Sequence, residues 1–132
     1  MSILDTNICA FFISRRDPAV TAGFREVEPH EVTFSALVAA ELADGVEHST
    51  RVEQNRRALE SFMRLIIGVP WDASVMWHFA QHKTPPTRLG QPIGESNLLI
   101  GCQALALDAV LVTNNTRGFE RIDGLKLENW AA

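Results

Sequence analysis

Polar residues that could hold a metal ion follow two short apolar runs of the sequence. Residues 5–7 (Asp-Thr-Asn) and residues 113–115 (Thr-Asn-Asn) each come directly after such a run. If both runs are neighbouring strands of a parallel sheet, their carboxyl ends share the edge where open α/β sheets bind ligands. A simpler interpretation is that Asp5 and Asn115 only cap the helices or turns that follow them.

A further carboxylate, Glu41, lies within the apolar run 36–42, on a predicted helix that otherwise suits the core. A buried carboxylate needs a partner or a metal ion, although an isolated helical Glu is more often solvated. If Asp5 lies beside Glu41, the pair favours Mg²⁺ or Mn²⁺, which prefer carboxylate and amide oxygens. Cys and His do not cluster in the sequence in a way that indicates a softer metal.

Apolar segments separated by helical segments predict how these residues are positioned. Strands of a sheet joined by helices require crossover connections. We therefore expect an α/β fold with a parallel central sheet, helices on both faces, and one domain spanning residues 1–132. The predicted strands are 2–4, 31–34, 66–70, 109–112 and 125–127; the predicted helices cover 8–13 and 51–66 and begin at Pro18, Ser35, Asp72 and Ser96; residues 83–92 form a Pro- and Gly-rich loop.

The overall composition excludes some classes of protein. No apolar run approaches the ~20 residues of a membrane span, so we expect a soluble, cytoplasmic protein. Cys9 and Cys102 lie in apolar runs and are expected to be buried free thiols. The net charge of −4 argues against a protein that binds nucleic acid by overall electrostatic attraction. Local basic clusters therefore remain as the candidate RNA contacts. Lys83 and Arg88 form one such cluster, although a basic cluster is usually only a solvated face.

Four ordered segments and the chain's end carry a resemblance to a known family. The segments are Leu4-Asp5-Thr6-Asn7, residues 35–47 with Ala40-Glu41-Leu42, residues 92–101, and residues 112–125 with Val112-Thr113-Asn114-Asn115, followed by Glu128 and Trp130. Together they resemble PIN-domain ribonucleases of the VapC toxin type nearly from end to end, which implies a PIN domain.

The resemblance implies an endoribonuclease whose acidic cluster holds Mg²⁺ or Mn²⁺. Asp5 and Glu41 match the family's first two acids. Asn97 occupies the third position, where the family has an aspartate, and Asn115 occupies a fourth, less constant one. A glutamate that often precedes the Phe of this segment is replaced by Gly118.

The resemblance also suggests roles for neighbouring polar residues and for other molecules. Thr6, Asn7 and Thr113 are expected to position water or phosphate. The expected partners are an antitoxin protein that masks the site, an RNA substrate with transfer RNA as first candidate, and a second copy of the chain in a homodimer.

Asn97 decides what this site can do. Asparagine keeps an oxygen that can coordinate metal but removes one negative charge. A charge pair at ~4 Å is worth about 4 kcal/mol at an effective dielectric near 20, before desolvation is deducted. Glu95 is a poor substitute, because side chains two positions apart on a helix do not share a face. The asparagine is either a deliberate change that lowers toxicity or a natural loss of catalysis, and its isosteric nature favours the first.

Three hypotheses therefore remain open from the sequence. The leading one is a toxin endoribonuclease that Asn97 inactivates. The second is a naturally non-catalytic PIN module that retains antitoxin or RNA binding. The third, a phosphoryl-transfer enzyme with an aspartyl phosphate at Asp5, is less favoured, because Thr6 and Asn7 stand where a second acid is usual.

Overall fold

The computed structural model describes residues 1–83 and 93–132, and its strands form one parallel sheet. The sheet order is β3-β2-β1-β4-β5, and every neighbouring pair is parallel. The predicted parallel α/β fold is therefore confirmed, with β1 in the centre. The strands are β1 Ser2–Leu4, β2 Val32–Ser35, β3 Gly68–Val69, β4 Val110–Val112 and β5 Lys126–Glu128.

Helices connect the strands and cover both faces of the sheet. The chain first moves from β1 through β2 to β3 and then returns to β4, so right-handed crossovers place the two sets of helices on opposite faces. The helices are α1 Thr6–Ser14, α2 Pro18–Arg25, α3 Ala36–Glu47, α4 Val52–Leu65, α5 Met76–Lys83, α6 Glu95–Ala106 and α7 Thr116–Phe119, with 3₁₀ turns at Pro29–Glu31 and Ala73–Val75.

Most predicted elements are present, with boundaries that differ by a few residues. Ser35 caps α3 as predicted, because its hydroxyl accepts a hydrogen bond from the Leu37 N–H at 3.0 Å. Asp72 caps the short 3₁₀ turn before α5 rather than α5 itself. The most apolar helix, α6, begins at Glu95 with Gly94 as its cap, not at Ser96. The predicted loop begins at Lys83, which is the last residue of α5, and its remainder lies outside the described residues.

The central strands are buried, as their apolar sequences predict. Ile3, Leu4 and Leu111 have no exposed surface. Cys9 and Cys102 are buried free thiols, as expected, and burial raises the pKa of each, to about 11 for Cys102. Because both thiols resist ionisation, neither is suited to nucleophilic or metal-ligand chemistry.

Gly101 on α6 faces the segment that follows α7, and this close approach predicts a destabilising substitution. A Cβ at this position would overlap Cδ1 of Ile122 and would lie 3.4 Å from Leu125 and Phe119. Overpacking should cost about 1–3 kcal/mol and outweigh the gain of about 0.5–1 kcal/mol from alanine in a helix, so we expect Gly101→Ala to lower the free energy of unfolding in urea denaturation. Gly45→Ala is the control, because nothing lies within 4 Å of its Cβ position.

The control should behave in the opposite way. Gly45 is inside α3, where alanine is preferred over glycine by about 0.5–1 kcal/mol, so Gly45→Ala should stabilise the protein. A Gly101→Ala variant as stable as the parent chain would show that Ile122 can move aside without cost.

Candidate metal centre

A cavity of about 260 Å³ opens at the carboxyl edge of the sheet. The strand register pairs Leu4 with both Phe34 and Val112, so the residues that follow β1, β2 and β4 lie side by side. Four separate segments of the chain meet there. The polar residues of the lining are Asp5, Thr6, Asn7, Glu41, Ser96, Asn97 and Asn115.

Asp5 is the most buried acid of the cavity, with 7% of its surface exposed. Its Oδ1 accepts a hydrogen bond from the Ile8 N–H at 2.9 Å, and its Oδ2 accepts one from the Thr113 hydroxyl at 2.5 Å. Burial raises the pKa of Asp5, and the charge of Glu41 adds to the increase, while the hydrogen bonds from Thr113 and Ile8 oppose it. Asp5 therefore both caps α1 and lines the cavity, so the two interpretations of this residue do not exclude each other.

Thr113 acts on the cavity through Asp5. Its side chain has no exposed surface, and its hydroxyl donates to Asp5 while accepting a hydrogen bond from the Asn115 N–H at 2.9 Å. Direct contact with water or phosphate, as expected from the sequence, is inconsistent with this burial. Thr113 instead holds the Asp5 carboxylate in one orientation.

Glu41 lies in the cavity but is not buried. The expectation of a core-facing carboxylate is wrong, because Ala40 and Glu41 are on the exposed side of α3 while Val38 faces the core. Alanine, valine and leucine on several sides of a helix do not define which side packs inward. The Oε1 of Glu41 accepts a hydrogen bond from the Ser96 hydroxyl at 3.0 Å, which links α3 to α6 across the cavity.

Asn97 is half-buried in the first turn of α6 and lines the cavity with the two acids. The neighbouring Glu95 is exposed and forms an ion pair with Lys83 at 3.1 Å, so it supplies no charge to the cavity. Ser96 was predicted only as a helix start and not as a site residue, although its hydroxyl beside Asn97 could have indicated a role in the site.

The three remaining predicted site residues, Asn7, Asn115 and Thr6, differ in their hydrogen bonds. The Asn7 amide donates to Oδ1 of Asn114 at 3.3 Å, and Oδ1 of Asn115 accepts from the Gly118 N–H at 3.2 Å, so Asn115 is also a helix cap. The Thr6 hydroxyl oxygen is buried and has no hydrogen-bond partner within the part of the chain that the structure describes. A buried polar atom of this kind is usually satisfied by water or an ion.

These donors fit a hard divalent cation in type but supply little charge. Carboxylate, amide and hydroxyl oxygens are the ligands that Mg²⁺ and Mn²⁺ prefer. In residues 1–83 and 93–132, however, no group of three or more His, Cys, Asp or Glu side chains could hold a metal ion. Asp5 and Glu41 are the acids of the cavity lining, and Asn97 would add a neutral oxygen.

Lys83, one of the two predicted RNA contacts, is not among the residues that line this cavity. Lys83 is paired with Glu95, and its Nζ lies 5.2 Å from the centroid of the Phe79 ring. Arg88 lies outside the described residues. Arg117 and Arg121 form another local basic cluster of the sequence, and in the structure both line a second cavity that adjoins the first. Across the described ranges, no helix is both long and apolar enough to span a bilayer.

Comparison with known proteins identifies similar chains along the whole length. The PIN domain family model matches residues 2–125. The chain is 34% identical over 129 residues to the tRNA(fMet)-specific endonuclease VapC of Shigella flexneri, covering 98% of this chain and 97% of that protein. It is also 34% identical over 129 residues to ribonuclease VapC2 of Rickettsia felis, covering 97% and 96%. The crystal structure of Rickettsia felis VapBC2 bound to promoter DNA matches with a TM-score of 0.90, 33% identity and 98% coverage of both chains.

Proposed function

The chain belongs to the PIN domain family, and we propose that it is the toxin of a toxin–antitoxin pair. Its scaffold would be that of a divalent-metal-dependent endoribonuclease, inactivated in this chain by Asn97 in place of an aspartate. Transfer RNA is the first candidate substrate, as the name of the Shigella flexneri relative suggests. The observation that carries the proposal is the meeting of Asp5, Glu41 and Asn97 in one cavity at the carboxyl edge of the sheet. Residues 1–132 would act as a single PIN domain.

In this proposal Asp5, Glu41 and Asn97 hold Mg²⁺ or Mn²⁺. When bound, the metal ion would supply an activated water and stabilise negative charge on the phosphate. The hydrogen bonds from Thr113 and Ile8 fix the Asp5 carboxylate, and the bond from Ser96 directs the Glu41 carboxylate into the cavity.

Other polar residues of the lining would act on the water or the phosphate. The Thr6 hydroxyl is buried without a partner in the described residues, so it can donate to a phosphate oxygen or hold a water. Asn7 and Asn115 offer amide groups at the mouth of the same cavity. These residues position the substrate and carry no charge of their own.

An antitoxin protein is the proposed partner, since the similar solved structures are VapBC complexes. A basic side chain from such a partner would be attracted to Asp5 and Glu41. We also propose that the chain acts as a homodimer, as is expected for toxins of this type.

The alternative is a PIN module without catalysis that retains antitoxin or RNA binding. The observation that favours it is the small number of acids in the cavity, where Asn97 and Gly118 stand at positions that are acidic in the family pattern. Loss of one charge beside two carboxylates weakens metal binding strongly, because the low dielectric of a half-buried site strengthens each charge pair.

Titration calorimetry with Mn²⁺ separates these two functions. We expect the present chain to bind Mn²⁺ weakly but saturably, and we expect Asp5→Asn to abolish that heat signal, because Asp5 is the buried acid of the cavity. Thr33→Val is the control, since Thr33 is buried in β2 and its hydroxyl donates to the Ile67 carbonyl instead. Absence of Mn²⁺ binding to the parent chain would favour the non-catalytic module, and equal binding by Asp5→Asn would place the metal elsewhere.

A further inference from the structure

A second, larger cavity of about 580 Å³ adjoins the acidic one. Asn97 and Asn115 line both cavities, so the two cavities meet at these residues. The volume falls within the range of about 300–1,000 Å³ that is usual for ligand sites, and far exceeds the roughly 30 Å³ of a single water. A ligand that reaches the acidic cavity could therefore continue into this one.

The charge of the second cavity differs from that of the first. Arg117 and Arg121 both line it, while Glu120 is the acidic residue of the lining. The side chain of Arg117 is exposed and makes no hydrogen bond or ion pair within the residues that the structure describes. Arg121 is half-buried and also takes part in an interaction within the fold.

Arginine in such a cavity matches one kind of ligand group especially well. The guanidinium is planar and permanently charged, and it donates parallel hydrogen bonds that fit phosphate oxygens. Lys83, in contrast, already has an acidic partner in Glu95. An RNA strand that passes Asn97 and Asn115 from one cavity to the other would place one phosphate at the acids and a neighbouring phosphate at the arginines.

We propose that Arg117 and Arg121 form a binding site for a phosphodiester of the RNA strand, next to the phosphate that lies at Asp5 and Glu41. This inference rests on the proposed function, because it assumes that the strand enters the acidic cavity. It adds that RNA binding does not depend on the metal site, since the arginines keep their charge whatever stands at position 97. The present chain should therefore bind RNA even where it does not cut it.

The test compares two substitutions that remove the same charge. Arg117→Gln removes the cation from the cavity, and Arg57→Gln removes one from the exposed side of α4, away from both cavities. The probe is a fluorescent single-stranded oligoribonucleotide, and anisotropy gives Kd as a function of salt in EDTA. We expect Arg117→Gln to weaken binding roughly threefold to tenfold at low salt and to reduce the salt slope by about 0.7, the value for one single-strand phosphate contact.

The control decides whether the effect is local. Arg57→Gln should leave the salt slope nearly unchanged, and equal effects of the two substitutions would overturn the proposal by showing only general attraction. Arg57 and Arg117 are both exposed, so the circular dichroism spectra and thermal midpoints of the two variants should match those of the parent chain.

A second measurement keeps this proposal separate from the nuclease proposal. In an Asn97→Asp background that cleaves RNA, Arg117→Gln should raise KM more than it lowers kcat. An unchanged KM would contradict the phosphate-site proposal while leaving the nuclease proposal intact. If Asn97→Asp does not cleave RNA but Arg117→Gln still weakens binding selectively, the phosphate site stands and the nuclease proposal fails.

Discussion

Replacing Asn97 with aspartate is expected to convert this chain into a metal-dependent ribonuclease. The substitution keeps the size of the side chain and adds a third carboxylate to a cavity that already holds Asp5 and Glu41. One charge pair at ~4 Å contributes about 4 kcal/mol at an effective dielectric near 20, which sets an upper limit of about a thousandfold on the gain in Mn²⁺ affinity. Cleavage of total cellular RNA and Mn²⁺ titration measure the two effects.

Two controls test whether the gained activity belongs to this site. Adding Asp5→Asn to the Asn97→Asp chain should remove cleavage, and EDTA should do the same without unfolding the protein. A purified Asn97→Asp protein that binds Mn²⁺ tightly but leaves RNA intact would falsify the nuclease proposal and favour the non-catalytic module.

The same substitution should lower stability when no metal is present. Three carboxylates in one cavity repel each other, so metal-free Asn97→Asp should unfold at a lower temperature than the parent chain. Mg²⁺ should then raise the thermal midpoint of the variant more than that of the parent, because a ligand stabilises the state that binds it. If the parent gains as much from Mg²⁺ as the variant, the charge argument is wrong.

Replacing Thr113 with valine is expected to damage both stability and metal binding. The substitution keeps the shape of this buried side chain but removes the hydroxyl that donates to Asp5 and accepts from the Asn115 N–H. A buried polar group left without its partner costs about 1–3 kcal/mol, so we expect a loss of that size in the free energy of unfolding. Urea denaturation of the metal-free protein measures it.

The pH dependence shows whether Thr113 acts through Asp5. The Thr113 hydrogen bond lowers the pKa of Asp5 against the increase caused by burial, so its loss should raise that pKa further. Because Mn²⁺ needs the ionised carboxylate, half-maximal binding in the Asn97→Asp background should move to higher pH in Thr113→Val.

Thr33→Val provides the matched control for this shift. It removes a hydroxyl that donates to the Ile67 carbonyl at 2.6 Å, so it should also cost stability, but it should leave the pH profile of metal binding unchanged. Superimposable profiles for Thr113→Val and its Asn97→Asp parent would exclude the positioning role of Thr113.

Features that depend on nearby residues could be predicted from the sequence. Asp5 follows a short apolar run and precedes a helical segment, and in the structure it comes directly after β1 and caps α1. Ser35 is the last residue of β2 and caps α3 in the same way. Strand ends, helix caps and the alternation of strands with helices are governed by interactions within a few residues, so the parallel fold and the edge of the site followed from local patterns.

The roles of individual site residues required the tertiary structure. Thr113 and Asp5 form their hydrogen bond across 108 positions, and Ser96 reaches Glu41 across 55. Glu41 lies on the exposed side of α3, and Arg117 and Arg121 come together in the lining of the adjoining cavity.

The sequence was enough to predict that Asp5, Glu41 and Asn97 fit one family pattern and that polar residues follow the strand ends. The support that Thr113 gives Asp5 from within the core, and the arginines that line the adjoining cavity, became visible only in the folded chain. The physical reason is that burial and hydrogen bonding of a side chain depend on residues brought together by packing, whose distance along the chain leaves no local signal.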